Sequence, residues 1–433
     1  MTRGDIGVGL MGLGVVGSGV ADILDKKREV IAHLVGCPVT LKGILVRDVS
    51  KKRLMAVDTS LVTTDADNIT GDPDIVIVVE VMGGENPSLE YIRRALENGK
   101  HVVTANKEIM AKHGLELLTL AQERGLDVCY EASVGGGIPL IAPFRKDLLA
   151  NRIGAVYAII NGTTNHILSQ MAKGGLDLPT ALTEAIERGY AEPDPSDDLS
   201  GRDAAYKLAI LSTLAFHIQV QPEDVYCEGI LGLGWRDFKY AQELGYAIKL
   251  LAISREEDGS VQARVHPTLL PQDHILAKVN GVYNAVQVEG DLVGRVLFYG
   301  RGAGSQPTSS AVVADIIDLA RNIRMGISNR PSLHLEEGKT LMPMAQVQTR
   351  YYLRLGVDDR PGVLAQMAKV LGDNAISIAS VIQKGRDEEE QRAEVVILTH
   401  RVQEAAMQRA LEELERLPCV KEVGSFLRVE DIS

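Results

Sequence analysis

The stretch IGVGLMGLGVVGSG, residues 6–19, decides how the first part of the chain folds. Residues 6–10 form a short apolar run, as a buried strand requires. The run breaks into Gly12, Gly14, Gly17 and Gly19 and is followed by VADILDKKREVIAHL, whose apolar residues recur at helical spacing. Strand, tight turn and helix in that order are the context in which Gly12-Leu13-Gly14-Val15-Val16-Gly17 becomes informative. Gly12 and Gly14 permit the turn and the close approach of a pyrophosphate, and Gly17 lets helix and strand pack closely. The exposed N–H groups of the helix N-terminus then attract negative charge. A dinucleotide is expected to bind there.

The second strand, VTLKGILV, ends at Arg47 and bears on which dinucleotide that is. An acidic residue at this position would grip a ribose 2′-OH, whereas an arginine accommodates a 2′-phosphate. Arg47, with Lys51, Lys52 and Arg53 close behind, points to NADP, and Asp48 leaves NAD open. Further strands are expected at 75–81, 101–104 and 127–130, separated by helical segments near 89–98 and 109–124. Such alternation builds a parallel, doubly wound sheet of the Rossmann type over residues 1–138.

After Ile138 the pattern changes. Strand-like GAVYAIIN, VQARVHPTLL, YNAVQVEG and VGRVLFYG surround a long helix near 204–216, so residues 139–302 read as an α+β domain with a mixed sheet. Residues 328–348, with Pro331, Gly338 and Pro343, read as a linker. From 349 to 433 the order is β-α-β-β-α-β, the pattern of a compact ferredoxin-like domain.

A chain of 433 residues is too long for one core. Its net charge of -12 argues against nucleic acid or an anionic membrane as partner, because either demands a basic face. Small metabolites remain. Cys37, Cys129, Cys227 and Cys419 stand far apart, and the nine histidines show no zinc-ligand spacing. The expected compartment is the cytoplasm, since no apolar run approaches the ~20 residues that span a bilayer and the N-terminus lacks a signal-peptide pattern.

Residues 185–207, AIERGYAEPDPSDDLSGRDAAYK, gather six carboxylates and one lysine around two prolines and two glycines. Pro193, Pro195 and Gly201 are expected to hold Glu192, Asp194, Asp197 and Asp198 on an irregular loop. Asp203 and Lys207 lie four apart on a following helix and share one face. Taken alone, a solvated acidic loop with a helical salt bridge explains these residues. Two lysines suit proton transfer to and from an alcohol oxygen: Lys207, and Lys107 in TANK at 104–107. Read alone, each is an ordinary surface lysine.

The 185–207 string resembles the signature of the homoserine dehydrogenase family. The resemblance extends to GLMGLGVVGSGV, TANK, YEASVGGGIP from Tyr130, NGTTNHIL from Asn161 and GRGAGSQPTSSAVVADI from Gly300. It implies an NAD(P)-dependent enzyme that interconverts L-aspartate 4-semialdehyde and L-homoserine, within threonine, isoleucine and methionine synthesis. By resemblance Lys207 donates and accepts the proton, Asp203 orients it, and Lys107 serves both cofactor and substrate. Glu192 is the family's substrate ligand, and Asp198 is chemically suited to help it hold the substrate ammonium. Asp194 and Asp197 read as loop caps. Thr163, Thr164 and Asn165 could reach substrate, but a turn closed by hydroxyls explains them equally well.

The resemblance also implies a sodium ion on Glu131 and the backbones of Val134, Gly136 and Ile138, where a plain tight turn is the local alternative. Gly304, in the glycine-rich run 302–305, is a second approach to the cofactor. Arg301 departs from the proline many relatives carry there. The helical segment SAVVADIIDLAR would complete the nucleotide domain through about 303–327. The C-terminal domain resembles an ACT domain through Asp359, Gly362, Val363, Leu364 and Asn374, which implies an amino-acid effector, with threonine as the candidate. Paired ACT domains favour a homodimer or homotetramer. The rival readings are another Rossmann aldehyde oxidoreductase and a non-catalytic amino-acid sensor.

Overall fold

The computed structural model describes residues 4–51, 57–327, 333–387 and 392–432. Lys52, Arg53 and residues 328–332 of the expected linker, Pro331 among them, lie outside the described residues.

By chain contacts the molecule divides into two units. Met1–Gly154, Tyr206–Glu223 and Val288–Gly338 form the first. Its strands are β1 (Ile6–Met11), β2 (Val39–Leu45), β3 (Val62–Thr63), β4 (Ile75–Glu80), β5 (His101–Thr104) and β6 (Val128–Cys129). They make one parallel sheet in the order β3-β2-β1-β4-β5-β6. The order reverses between β1 and β4, and in an open α/β sheet that switch point is where ligands bind. The helices are α1 (Val15–Lys26), α2 (Arg28–Val35), α3 (Asp67–Thr70), α4 (Ser88–Glu97), α5 (Lys107–Glu123) and α6 (Ile141–Arg145). β1 is buried at every position, because helices cover both of its faces.

The second unit comprises Ala155–Ala205, Asp224–Gln287 and Lys339–Ser433. Its elements begin with β7 (Ile153–Ile159), α7 (Gly162–Gly174), α8 (Leu178–Glu187) and α9 (Ser196–Leu199). α10 (Arg202–Phe216) follows, and the division between the units falls within it. Next come β8 (Tyr226–Cys227), α11 (Trp235–Glu243), β9 (Tyr246–Glu257), β10 (Ser260–Pro271) and β11 (Tyr283–Gly290), whose last residues pass the division; β12 (Gly294–Arg301) falls in the first unit. α12 (Ser305–Met325) belongs to the first unit, where Val312, Ile316 and Leu319 share a core with Val8, Leu10 and Val20. The chain ends with β13 (Thr340–Leu341), β14 (Gln348–Asp358), α13 (Val363–Asp373), β15 (Ile378–Asp387), β16 (Arg392–Thr399), β17 (Val402–Gln403), α14 (Glu404–Glu415) and β18 (Val420–Val429).

Two features differ from the sequence reading. The acidic segment is not wholly irregular: Asp197 and Asp198 sit on α9, a single helical turn. The Asp194 carboxylate accepts the N–H of Ser196 at 3.1 Å and opens that turn, and a proline just before a first turn offers no obstacle. The second difference is the sheet. The C-terminal strands run in the order β18-β14-β16-β15, and β18 also pairs in parallel with β10 through Thr268↔Arg428 and Leu269↔Val429. The ferredoxin-like segment thus continues the β9–β10 sheet through β18, and contact grouping places both in one unit.

Buried ion pairs fix this register. Arg264, 1% exposed on β10, donates to Glu430 at 2.6 Å. Arg354 on β14 donates to the fully buried Asp237 of α11 at 2.7 Å. Such pairs add little net stability once desolvation is counted, but a shifted register would strand a charge in the interior.

Candidate active site

At the carboxyl end of β1 the chain turns at Gly12, φ 102°. A Cβ at Gly12 would stand 2.9 Å from the Val81 carbonyl oxygen, and one at Gly17 only 2.0 Å from that of Gly12. A Cβ at Gly14 would meet nothing within 4 Å. Gly12 and Gly17 are therefore glycines for the protein's own packing, while Gly14 leaves open space at the N-terminus of α1. No side chain caps that helix, so its first N–H groups are left for an anion. Leu13 is buried, Val15 is exposed, and Val16 packs on the core. Ser305 Oγ and Ser309 Oγ of α12 donate to the carbonyls of Val15 at 3.1 Å and Val16 at 2.9 Å. This brings the Gly302–Ser305 run, with Gly304 at φ 125°, beside the glycine turn.

Arg47 is exposed two residues beyond β2. The Asp48 carboxylate accepts the Ser50 N–H and hydroxyl, both at 2.7 Å. Lys107 is the first residue of α5, half-buried, on a helix capped by Asn106, whose Oδ1 accepts the Ile109 N–H at 3.2 Å. Asn106 Nδ2 in turn donates to the Gly84 carbonyl at 2.7 Å. Beneath this lies a residue that the sequence reading passed over. Glu80, fully buried at the end of β4, accepts the Thr104 hydroxyl at 2.7 Å and the Met82 N–H at 2.8 Å. It ties the loop after β4 to the end of β5, just ahead of Lys107. A carboxylate closing an otherwise apolar strand was the available signal.

The Glu131 carboxylate is engaged. It accepts the N–H groups of Leu140 at 2.5 Å, Ile141 at 2.9 Å and Ala142 at 2.8 Å, at the first turn of α6. Gly135 and Gly136, at φ 72° and 56°, fold the intervening loop back. A Cβ on Gly136 would come within 2.5 Å of the Gly302 carbonyl oxygen. The Glu131 carboxylate is thus spent on the start of α6. Among the described residues no cluster of three or more acidic, His or Cys side chains is placed to hold a metal.

In the second unit the acidic residues converge on Asn161. Its Nδ2 donates to Asp198 Oδ1 at 2.6 Å and to Asp203 Oδ2 at 2.8 Å, while its Oδ1 accepts the Thr164 N–H at 2.8 Å and so caps α7. One side chain thus starts a helix and joins two carboxylates from α9 and α10. Asp203 is 4% exposed, Asp198 half-buried and Glu192 exposed. Lys207, half-buried, follows Asp203 by one turn of α10. Thr163 donates to the Tyr190 carbonyl at 2.8 Å, and Asn165 Nδ2 to those of Gly281 and Tyr283, each at 3.0 Å. The Thr-Thr-Asn cluster is therefore occupied with structure. Asp197 meets Arg202 at the surface, 3.3 Å away.

A doubly wound sheet, a glycine turn at its switch point and a helix carrying a lysine one turn after a buried carboxylate define the class of NAD(P)-dependent oxidoreductases. The models of two homoserine dehydrogenase domains match the chain, the NAD-binding domain over residues 12–131 and the homoserine dehydrogenase domain over 139–317; an ACT domain model matches 351–419. A homoserine dehydrogenase of Neisseria gonorrhoeae is 42% identical over 432 residues, 99% of each chain. One of Bacillus subtilis is 40% identical over 428 residues, 98% of each. The crystal structure of a homoserine dehydrogenase from Thiobacillus denitrificans superposes with a TM-score of 0.92 at 42% identity, covering 99% of both chains. The solved structure of a hyperthermophilic archaeal homoserine dehydrogenase in complex with NADPH covers 76% of this chain and 100% of its own, with a TM-score of 0.62 at 26% identity. The chain belongs to the homoserine dehydrogenase family and carries a C-terminal ACT domain. Among the described residues no helix is long and apolar enough to cross a membrane.

Proposed function

We propose that the enzyme interconverts L-aspartate 4-semialdehyde and L-homoserine with Lys207 as the proton-transfer group. The observation that carries this is Asn161, which gathers Asp198 and Asp203 within hydrogen-bonding distance at the start of the helix that holds Lys207. Glu192 and Asp198 supply negative charge for the substrate ammonium, and Asp203, one helical turn before Lys207, orients its amine. The bound dinucleotide supplies or accepts the hydride. In the reducing direction the Lys207 ammonium gives its proton to the oxygen that becomes the hydroxyl; in the oxidising direction the amine takes it back. Lys107 contacts both cofactor and substrate.

NADP is the preferred cofactor, with NAD usable. In support, Arg47 is exposed just beyond the end of β2, the Asp48 carboxylate accepts from Ser50, and the archaeal relative is solved with NADPH. Glu131 and the backbones of Val134, Gly136 and Ile138 would hold a sodium ion in the loop that the Glu131 carboxylate closes. The functional division is a nucleotide domain of 1–138 completed by 303–327, a catalytic and oligomerisation domain of 139–302, a linker of 328–348 and an ACT domain of 349–433. The protein works in the cytoplasm as a homodimer or homotetramer in threonine, isoleucine and methionine synthesis, and threonine bound to the ACT domain regulates it.

The test is Lys207→Ala assayed by NADPH oxidation with aspartate semialdehyde. Loss of general acid-base catalysis lowers turnover about 10²- to 10⁴-fold with cofactor binding retained. Turnover within a factor of a few of wild type would remove Lys207 from the mechanism.

A further inference from the structure

One arginine of the ACT segment reaches, through a short strap of chain, the turn that carries Asp198. Arg428 lies on β18 and is fully buried. Its Nη2 donates to Glu404 Oε1 at 2.6 Å and its Nε to Glu404 Oε2 at 3.0 Å. Glu404 opens α14 and also accepts the Tyr351 hydroxyl at 2.9 Å, so the arginine is fixed from the ACT side. From its other side, Arg428 Nη1 donates to Glu228 at 2.6 Å, and Nη2 to the Tyr226 hydroxyl at 3.0 Å.

Residues 226–230 are held at both edges. Tyr226 and Cys227 pair with Arg264 and Val265 of β10, and the Glu228 N–H donates to the Val265 carbonyl at 2.8 Å. On the opposite edge the Ile230 N–H donates to the Leu199 carbonyl at 2.9 Å, and Cys227 Sγ to that of Ser200 at 3.3 Å. The fit leaves no slack, since a Cβ on Gly229 would stand 2.0 Å from the Leu199 carbonyl oxygen. Leu199 is the residue after Asp198 and the last of α9.

We propose that Arg428 and Glu228 form a strut that sets the position of α9, and with it the affinity of the acidic site for its amino-acid substrate. Arg428 is a positioning residue, since it acts through Glu228 and the strap and not on substrate. A change in the first turn of α14 reaches Asp198 by the same contacts. This rests on the reading of Asp198 as a substrate ligand.

Three full-length variants test it: Glu228→Gln, Gly229→Ala and Asp198→Asn, each compared with wild type for homoserine KM, cofactor KM, kcat and melting temperature. Glu228→Gln leaves Arg428 paired with Glu404, so the buried guanidinium stays compensated and the fold survives. Gly229→Ala pushes on Leu199 with every charge kept. Both should raise homoserine KM about 3- to 10-fold, the range for a positioning contact remote from the ligand, with kcat and cofactor KM within about twofold. Asp198→Asn should raise the same KM. If it does and the other two do not, the strut is refuted; if Asp198→Asn leaves KM unchanged, the substrate-site reading falls and the strut with it. A lowered melting temperature with unaltered homoserine KM in Glu228→Gln and Gly229→Ala would reduce both residues to structural roles.

Discussion

Asn161→Asp separates the two tasks of Asn161. Aspartate caps helices as well as asparagine, so α7 keeps its start. What changes is the donor: an amide 2.6 Å from Asp198 and 2.8 Å from Asp203 becomes a third carboxylate. Two unit charges at 4 Å repel by about 4 kcal/mol at an effective dielectric of about 20. Two such pairs outweigh the roughly 4 kcal/mol needed to protonate an ordinary aspartate at pH 7. Protonation wins, and the cluster holds one shared proton. A carboxyl whose pKa is raised by folding binds that proton in the folded state alone. Its stability is then intact below the unfolded pKa of about 4 and lost, by about 1.4 kcal/mol per pH unit, as pH rises towards the folded value. Relative to wild type, Asn161→Asp should lose about 4 kcal/mol at pH 7 and only about 1.5 kcal/mol at pH 5. Denaturant unfolding of both proteins from pH 5 to 8 measures the difference. A gap independent of pH, or none at pH 7, would refute the placement of this amide between two carboxylates.

Gly14→Ala should melt as wild type does and raise cofactor KM, because its Cβ enters space free of protein atoms; Gly17→Ala should lose both stability and cofactor affinity, its Cβ falling 2.0 Å from a backbone oxygen. Arg47→Ala should raise KM for NADPH more than for NADH, and equal effects would show that Arg47 does not read the 2′-phosphate. Lys249 is 3% exposed, with its ammonium donating to Asn280 at 3.1 Å and to the Val279 carbonyl at 2.5 Å. Burial, reinforced by Lys173, brings its pKa down from 10.5 to about 8. The unfolded chain then binds the extra proton between those values, so this lysine costs about 3 kcal/mol below pH 8, relieved as pH rises towards 10.5. Lys249→Met should therefore lose stability relative to wild type on going from pH 7.5 to 10, as paired unfolding curves would record.

The nucleotide half was legible because its evidence is local: apolar run, glycine spacing and helix follow one another within twenty residues or so. The ACT segment was legible for the same reason. β9 went unread, since YAIKLLAISREE has a continuous apolar stretch that fits a buried helix as well as a strand. Asn161 was visible as part of a motif, but its bonds to Asp198 and Asp203 cross 37 and 42 residues, and no periodicity announces such a pairing. The same holds for β18 on β10, where a two-residue ladder and an ion pair join segments far apart in the chain.

The pairing of β18 with β10 bears on how the enzyme is made as well as on how it works. The Thr268–Leu269 edge of β10 cannot be completed until nearly the whole chain has been synthesised, and until then Arg264 has no Glu430 to neutralise it. A ribosome-bound intermediate therefore presents an unfinished strand edge next to a buried cation, the kind of surface that recruits chaperones or self-associates. A chain cut near residue 348 would be arrested in that condition. Loss of effector response in such a truncation would then be confounded with misfolding, and point changes in the intact chain are the cleaner means of separating regulation from catalysis.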